Sequence, residues 1–211
     1  MHLEYLKSGN YDKVCYLSSF YLGPVSYYKQ IAHSESVVIE QHDNYIKQTY
    51  RNRCRIASSN GIMDLSIPVQ KCEAKCRMKD IRIAYSGNWQ QIHWRAIESA
   101  YSSSPFFEYY RDDFESFFRI KEEFLIDLNT ALQSLILKLA DVSTPIVFTT
   151  EYKDLFSEKE LDLRDFFHPK KEYLYELNPY YQVFGHKFGF QKDLSIIDLL
   201  FNMGPESVFY L

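Results

Sequence analysis

A chain of 211 residues, 46% hydrophobic, 25% charged and 17% aromatic, is long and apolar enough to bury a substantial core, which excludes disordered, collagenous and low-complexity architectures. The formal net charge of −4 and a pI near 5.9 argue against nucleic acid as the main partner, because proteins that bind a phosphate backbone carry a broad basic surplus. With 18 Tyr and 16 Phe residues, hydroxyl-bearing rings must enter the interior, and each needs a polar partner there.

Residues 14–21 are rich in aromatic and β-branched side chains and end at Gly23-Pro24, which predicts a strand followed by a helix that opens on Pro24 and runs to about His33. The apolar run 36–39 predicts a second strand covered on both faces, so the first forty residues read as a βαβ unit with parallel strands. Asn60-Gly61, set between the alternating runs 51–58 and 63–69, predicts a two-residue β-hairpin. Pairing Ser58 with Met63, Ile56 with Leu65 and Cys54 with Ile67 turns the even-numbered positions to the core and leaves Arg51, Arg53 and Arg55 on the other face, with Lys47 in the same parity. Further along, the patterns predict a strand near 81–85, helices over 89–102 and 120–140, and a strand over 145–149. A last short helix over 195–202 has Ser195 and Asp198 placed as a capping box and Gly204-Pro205 as its stop. The stretch 152–193 is aromatic and irregular. With no repeat and no linker, the expected fold is α/β: a single domain with a mixed β-sheet, an N-terminal βαβ unit plus a β-hairpin, flanked by helices.

The first thirty residues mix Lys7, Asp12 and Lys13 with short apolar stretches and show no leader pattern, and no apolar run approaches a length of about 18 residues. The expectation is a cytoplasmic protein with no transmembrane segment, and with Cys15, Cys54, Cys72 and Cys76 reduced. Cys72 and Cys76 form a CxxxC pair without the second pair that a zinc site needs.

In open α/β sheets, ligands bind outside the carboxyl ends of parallel strands, and the chain leaves its second strand through Glu40, Gln41, His42 and Asp43. A carboxylate two residues from an imidazole can orient it as a general base, and the set could also hold a divalent metal or be a solvated loop. Arginines at i, i+2 and i+4 of a strand stand about 7 Å apart on one face, a spacing suited to a phosphate, pyrophosphate or carboxylate. The plainer reading pairs them with Asp64 at the surface. His93 shares the stripe of Trp89, Ile92, Ala96, Ile97 and Ala100, so it is either a packed core histidine or, beside a cleft, a second acid/base candidate. Cys54 points inward, which favours a structural thiol over a nucleophile.

The segments Phe20-Tyr21-Leu22-Gly23-Pro24-Val25-Ser26-Tyr27-Tyr28, Val38-Ile39-Glu40 with Tyr45 through Cys54, Ile67-Pro68-Val69, Trp89-Gln90-Gln91-Ile92-His93-Trp94 with Ser104-Pro105-Phe106-Phe107, and the ending 194–205 together resemble the WbqC-like family. The resemblance spans nearly the whole chain; where many members carry Gln-Pro, this chain has Ser18-Ser19. It implies an association with bacterial cell-surface polysaccharide of the O-antigen type. Carried over by position, the family-like polar set is Glu40, His42, Tyr45, Lys47, Arg51, Asn52, Arg53 and His93.

These readings converge on a transferase of surface-polysaccharide biosynthesis that takes a small anionic activated donor and a sugar acceptor, by glycosyl or by acyl or aminoacyl transfer. His42 or His93 is its general base, Glu40 orients the imidazole, and Tyr45, Lys47, Arg51, Asn52 and Arg53 bind substrate. The alternatives are a non-catalytic carbohydrate- or partner-binding protein and, third, a Cys54/His acyl-transfer enzyme. Asp112-Asp113 and Asp162-Leu163-Arg164 are not Asp-x-Asp metal motifs, and neither cofactor nor metal is assigned.

Overall fold

The two apolar segments at the start of the chain pair in parallel, β1 (Val14–Ser18) with β2 (Ser36–Glu40), joined by helix α1 (Val25–Ala32). Their register runs from Val14 opposite Ser36 to Ser18 opposite Glu40, which sets the last residues of both strands side by side. These elements belong to a computed structural model that describes residues 13–72, 75–171 and 176–211. The expectation about a leader falls partly on residues 1–12, outside the described residues. Strands β5 (Ile146–Phe148) and β6 (Glu160–Asp162) complete a parallel four-stranded sheet in the order β5-β2-β1-β6. The chain therefore steps outward from β1 to β2 to β5 and then returns to the far side of β1, so the strand order reverses between β1 and β6.

Side-chain alternation explains how this sheet seats on the core. Cys15, Leu17, Val37, Ile39 and Leu161 are all buried on one face, while the row Tyr16, Val38 and Val147 lies on the other. That second row lines an open groove of about 610 Å³, bordered by residues 148–155 on their way from β5 to β6.

The hairpin β3 (Arg53–Ser58) and β4 (Gly61–Ser66) forms a separate two-stranded sheet. Its turn centres on Ser59-Asn60, and Gly61 opens β4 at φ +105°, a left-handed conformation that a side chain disfavours. The register is thus two residues tighter than the sequence suggests: Ile56 faces Met63 and Cys54 faces Leu65. A shift of two conserves parity, so Cys54 and Ile56 remain fully buried against helix α2 (Trp89–Tyr101), which packs on β3.

Three other elements differ from the sequence reading for identifiable reasons. The helix expected from Ile120 begins only at Leu125 (α4, Leu125–Leu139, after α3, Phe107–Glu115), because the backbone at 123–124 is engaged in sheet-like bonds. Arg82 bridges Phe124, and the Ile83 amide donates to the Glu123 carbonyl at 3.0 Å. The same bonds, with the bridge between Val69 and Ile83, account for the extended run at 81–85, which pairs only through single bridges. In the short C-terminal helix α6 (Ile196–Met203, following α5, Gly185–Phe188) the capping-box side chains serve tertiary contacts instead. The Ser195 hydroxyl donates to the Leu22 carbonyl at 2.7 Å, and Asp198 Oδ2 accepts from Tyr180 and Gln182. Gly204 does stop the helix, at φ +54° with the Phe106 ring packed where a Cβ would stand.

Cys15 and Cys54 are free, buried thiols, both pushed up in pKa by burial. Cys72 and Cys76 depart from the expectation of reduced cysteines and form a disulfide. The stem formed by 68–70 against 82–84 folds the chain back on itself, and the tip brings their Cα atoms to 6.3 Å. Among the described residues, no helix is long and apolar enough to cross a membrane.

Candidate functional site

Parallel register gathers polar side chains at one end of the sheet. Ser18 closes β1, Glu40 closes β2, Thr149 follows β5 and Arg164 follows β6. The Ser18 hydroxyl donates to the Arg164 carbonyl at 2.9 Å, across the point where strand order reverses. This is where an open α/β sheet leaves a crevice for a ligand, because the connections on either side diverge.

Glu40 is fully buried, and its carboxylate organises the loop after it. Oε1 accepts from the His42 backbone amide at 2.7 Å and from the Thr149 hydroxyl at 2.9 Å, while Oε2 accepts from Arg164 Nη1 at 3.4 Å. Glu40 therefore holds the main chain of His42 and not its imidazole, contrary to the expectation that it orients the ring. The His42 Nε2 atom is enclosed and has no hydrogen-bond partner. Arg164 makes a fork with Asp162, at 2.8 Å from Nε and 2.7 Å from Nη2, and lies over the rings of Tyr152 and Phe156. The fork raises its already high pKa, so it stays a cation.

The arginine row predicted from strand parity is broken. Arg51 precedes β3, and its side chain turns inward, 3% exposed, to meet Asp43 at 2.7 Å, Ser18 at 2.9 Å and Asp165 at 3.5 Å. All three contacts use Nη2, and Nε is enclosed without a partner. Its backbone is fixed as well, since Asn129 of α4 donates to the Arg51 carbonyl at 2.9 Å and to the Ser19 hydroxyl at 3.2 Å. Arg53 and Arg55 stay on the outer face of the hairpin, where both pair with Asp64. A bend at 51–52 just before the strand separates the two environments.

The remaining predicted residues divide likewise. Tyr45 lies near Arg51 and Arg53, yet burial outweighs those cations and pushes its hydroxyl up to about 12; the oxygen has no partner. Asn52 donates to the Ile67 carbonyl at 2.8 Å and leaves Oδ1 enclosed and unpaired. Lys47 is exposed. His93 is not beside His42: its Nδ1 meets the Tyr21 hydroxyl at 3.0 Å and Trp89 packs edge-on at 5.1 Å, between α2 and the hairpin. Burial lowers its pKa to about 4, partly offset by a bond to the Ser66 backbone. Of the two readings of His93, the packed core histidine is the one its surroundings describe.

Sequence reasoning missed Arg164, Asp162, Thr149 and Asn129. The spacing Asp162-x-Arg164 reads in the sequence only as a failed metal motif, and β6 has a single apolar residue to announce it. Exposed pairs of the kind Arg53 makes with Asp64 contribute little. Arg53→Ala is accordingly expected to change unfolding free energy by about 0.5 kcal/mol or less, read from urea denaturation, since Arg55 keeps Asp64 compensated.

An open parallel sheet, flanked by helices and carrying a buried acid–guanidinium network at its switch point, defines this as an α/β protein. The chain belongs to the WbqC-like protein family, whose model matches residues 19–168, a span that includes His42, Arg51 and Arg164. It is similar to the uncharacterized protein Rv1507c of Mycobacterium tuberculosis, with 26% identity over 229 aligned residues covering 94% of this chain and 97% of the mycobacterial one. No solved structure matches it at a significant level.

Proposed function

We propose that this protein is a transferase of bacterial cell-surface polysaccharide assembly, taking an anionic activated donor and a sugar acceptor at the carboxyl end of the parallel sheet. The observation that carries the reading is the unpaired edge of Arg51. Its Nη2 is held by Asp43 and Ser18 while Nε, enclosed and desolvated, still offers a donor. A buried donor without a partner is costly, and an anion or its bridging water would satisfy it. The unpaired Tyr45 hydroxyl and Asn52 Oδ1 add a donor and an acceptor on the same stretch of chain, with Lys47 and Arg53 at its outer edge.

In this reading, Nε2 of His42 takes the proton from an acceptor hydroxyl or amine as that group attacks the donor's electrophilic carbon. The bond from that carbon to the anionic leaving group breaks, and Arg51 stabilises the charge that departs. Glu40 acts at one remove, by fixing the His42 backbone.

The test is a panel of nucleotide-linked sugars and acyl donors, titrated by calorimetry and followed for turnover. Arg51→Lys should weaken donor binding about tenfold, or 1.4 kcal/mol, because a point charge replaces the fork. His42→Ala should keep binding and lose turnover by about 100-fold or more. Full turnover in His42→Ala, or no donor bound by the wild type, would overturn the reading. A second reading, carbohydrate binding without chemistry, is favoured by the groove beside the site, where Tyr152 is half exposed next to Thr149 and Lys153. It predicts oligosaccharide binding that Tyr152→Ala abolishes, with no turnover.

A further inference from the structure

The described residues 68–72 and 75–84 form a lobe with three parts. Its stem pairs Val69 with Ile83, with bonds from Gln70 to Arg82 and from Ala84 to Pro68 at 2.9 Å each. Its tip carries the Cys72–Cys76 disulfide. Its returning arm lies along the site loop: the Tyr45 backbone amide donates to the Cys76 carbonyl at 2.8 Å, the Met78 amide to the Asp43 carbonyl at 2.8 Å and the Lys79 amide to the Gln41 carbonyl at 3.0 Å, with a bridge between Asn44 and Arg77. The backbone of the loop bearing His42, Asp43 and Tyr45 is thus clipped to the arm that starts at the second cysteine.

The disulfide's position decides what it can do. It closes a loop of sequence separation 4, too short to remove much entropy from the unfolded chain, so its effect is local rather than global. Both cysteines are half-buried at the edge of the core, whereas Cys15 and Cys54 are sealed within it. Lys71, Lys75 and Arg77 outnumber the single acid Glu73 in the same stretch, a basic setting that favours the thiolate as attacking or leaving group.

We infer that Cys72–Cys76 is a thiol–disulfide exchange site whose redox state sets the order of the loop carrying His42, Asp43 and Tyr45. The co-reactant is a dithiol. One of its thiolates attacks a sulfur of the pair and expels the other as thiolate, and its second thiol resolves the mixed disulfide. The dithiol gives up two electrons and two protons, and Cys72 and Cys76 gain them. Reduction frees the tip, and the arm then holds Gln41, Asp43 and Tyr45 less firmly.

The test uses the full chain, air-oxidised and after dithiothreitol, with alkylation mass spectrometry and hydrogen exchange. Oxidised protein should leave Cys72 and Cys76 unalkylated, and reduction should label both while Cys15 and Cys54 stay protected. Exchange of the Tyr45, Met78 and Lys79 amides should rise at least tenfold on reduction, with the β3–β4 amides unchanged. Cys72→Ser/Cys76→Ser should show the fast exchange in both conditions. Alkylation of Cys72 and Cys76 in the air-oxidised protein, equal exchange in the two states, or a loss of protection across the whole chain would each overturn the inference. The readout is loop order, so it is independent of whether the loop serves a transferase.

Discussion

Arg51→Met is expected to destabilise the protein by about 3 kcal/mol, because removing one partner of a buried ion pair leaves the other charge without compensation. The Met side chain retains the packing of the arginine stem but strands Asp43, whose carboxylate is largely enclosed, and removes the donor on Ser18. Asp165, far more exposed, regains water and adds little. Arg51→Lys should recover part of the loss, since an ammonium can reach one carboxylate but cannot span Asp43 and Ser18 together. A double-mutant cycle with Asp43→Asn, read by urea unfolding, should return a coupling energy above about 1 kcal/mol. A loss no larger than that of Arg53→Ala would show that Arg51 is solvated and that the site network is not built as described. The comparison is informative because both arginines sit in one run of sequence and only burial distinguishes them.

That contrast marks what sequence patterning can deliver here. The βαβ start was readable because 14–18 and 36–40 are apolar and β-branched, with Gly23-Pro24 between them, and periodicity alone fixes which residues point inward. The hairpin's core face survived an error in register because a slip of two preserves parity. Parity failed at Arg51 because it applies only within a strand, and β3 begins at Arg53. The candidate site at the end of β2 follows from the rule about parallel sheets, yet half of the charge network there arrives with β6, about 120 residues further on, and nothing in the sequence near Asp162 and Arg164 links them to Glu40. Long-range pairing of this kind is a property of topology and not of any window of sequence.

Two buried groups, His93 and Asp198, respond to acid in opposite senses. His93 is held to about 4 by burial, so between its ordinary value near 6.5 and pH 4 the unfolded chain binds a proton that the folded chain does not. Its contribution to stability therefore falls as pH drops through that interval. Asp198 is raised by burial from 3.8 to about 6; Tyr180 and Gln182 bond Oδ2, and no well-aligned donor reaches Oδ1. The folded chain here takes up its proton first, so this contribution rises as pH drops from 6 towards 4. The slopes oppose each other, so between pH 6.5 and 5 the wild type should change less than the His93 term alone would require. Asp198→Asn removes one side of the balance. The amide oxygen can keep the bonds from Tyr180 and Gln182, and its NH2 can face the Tyr101 hydroxyl, so the variant should be at least as stable as the wild type at pH 7.5. It should then lose more stability than the wild type between pH 6.5 and 5, on the order of 1–2 kcal/mol from the unmasked slope of His93, in urea midpoints taken across the interval. A flat profile in Asp198→Asn would mean that His93 titrates normally, and the closed packing of Tyr21, Trp89 and His93 would have to be abandoned.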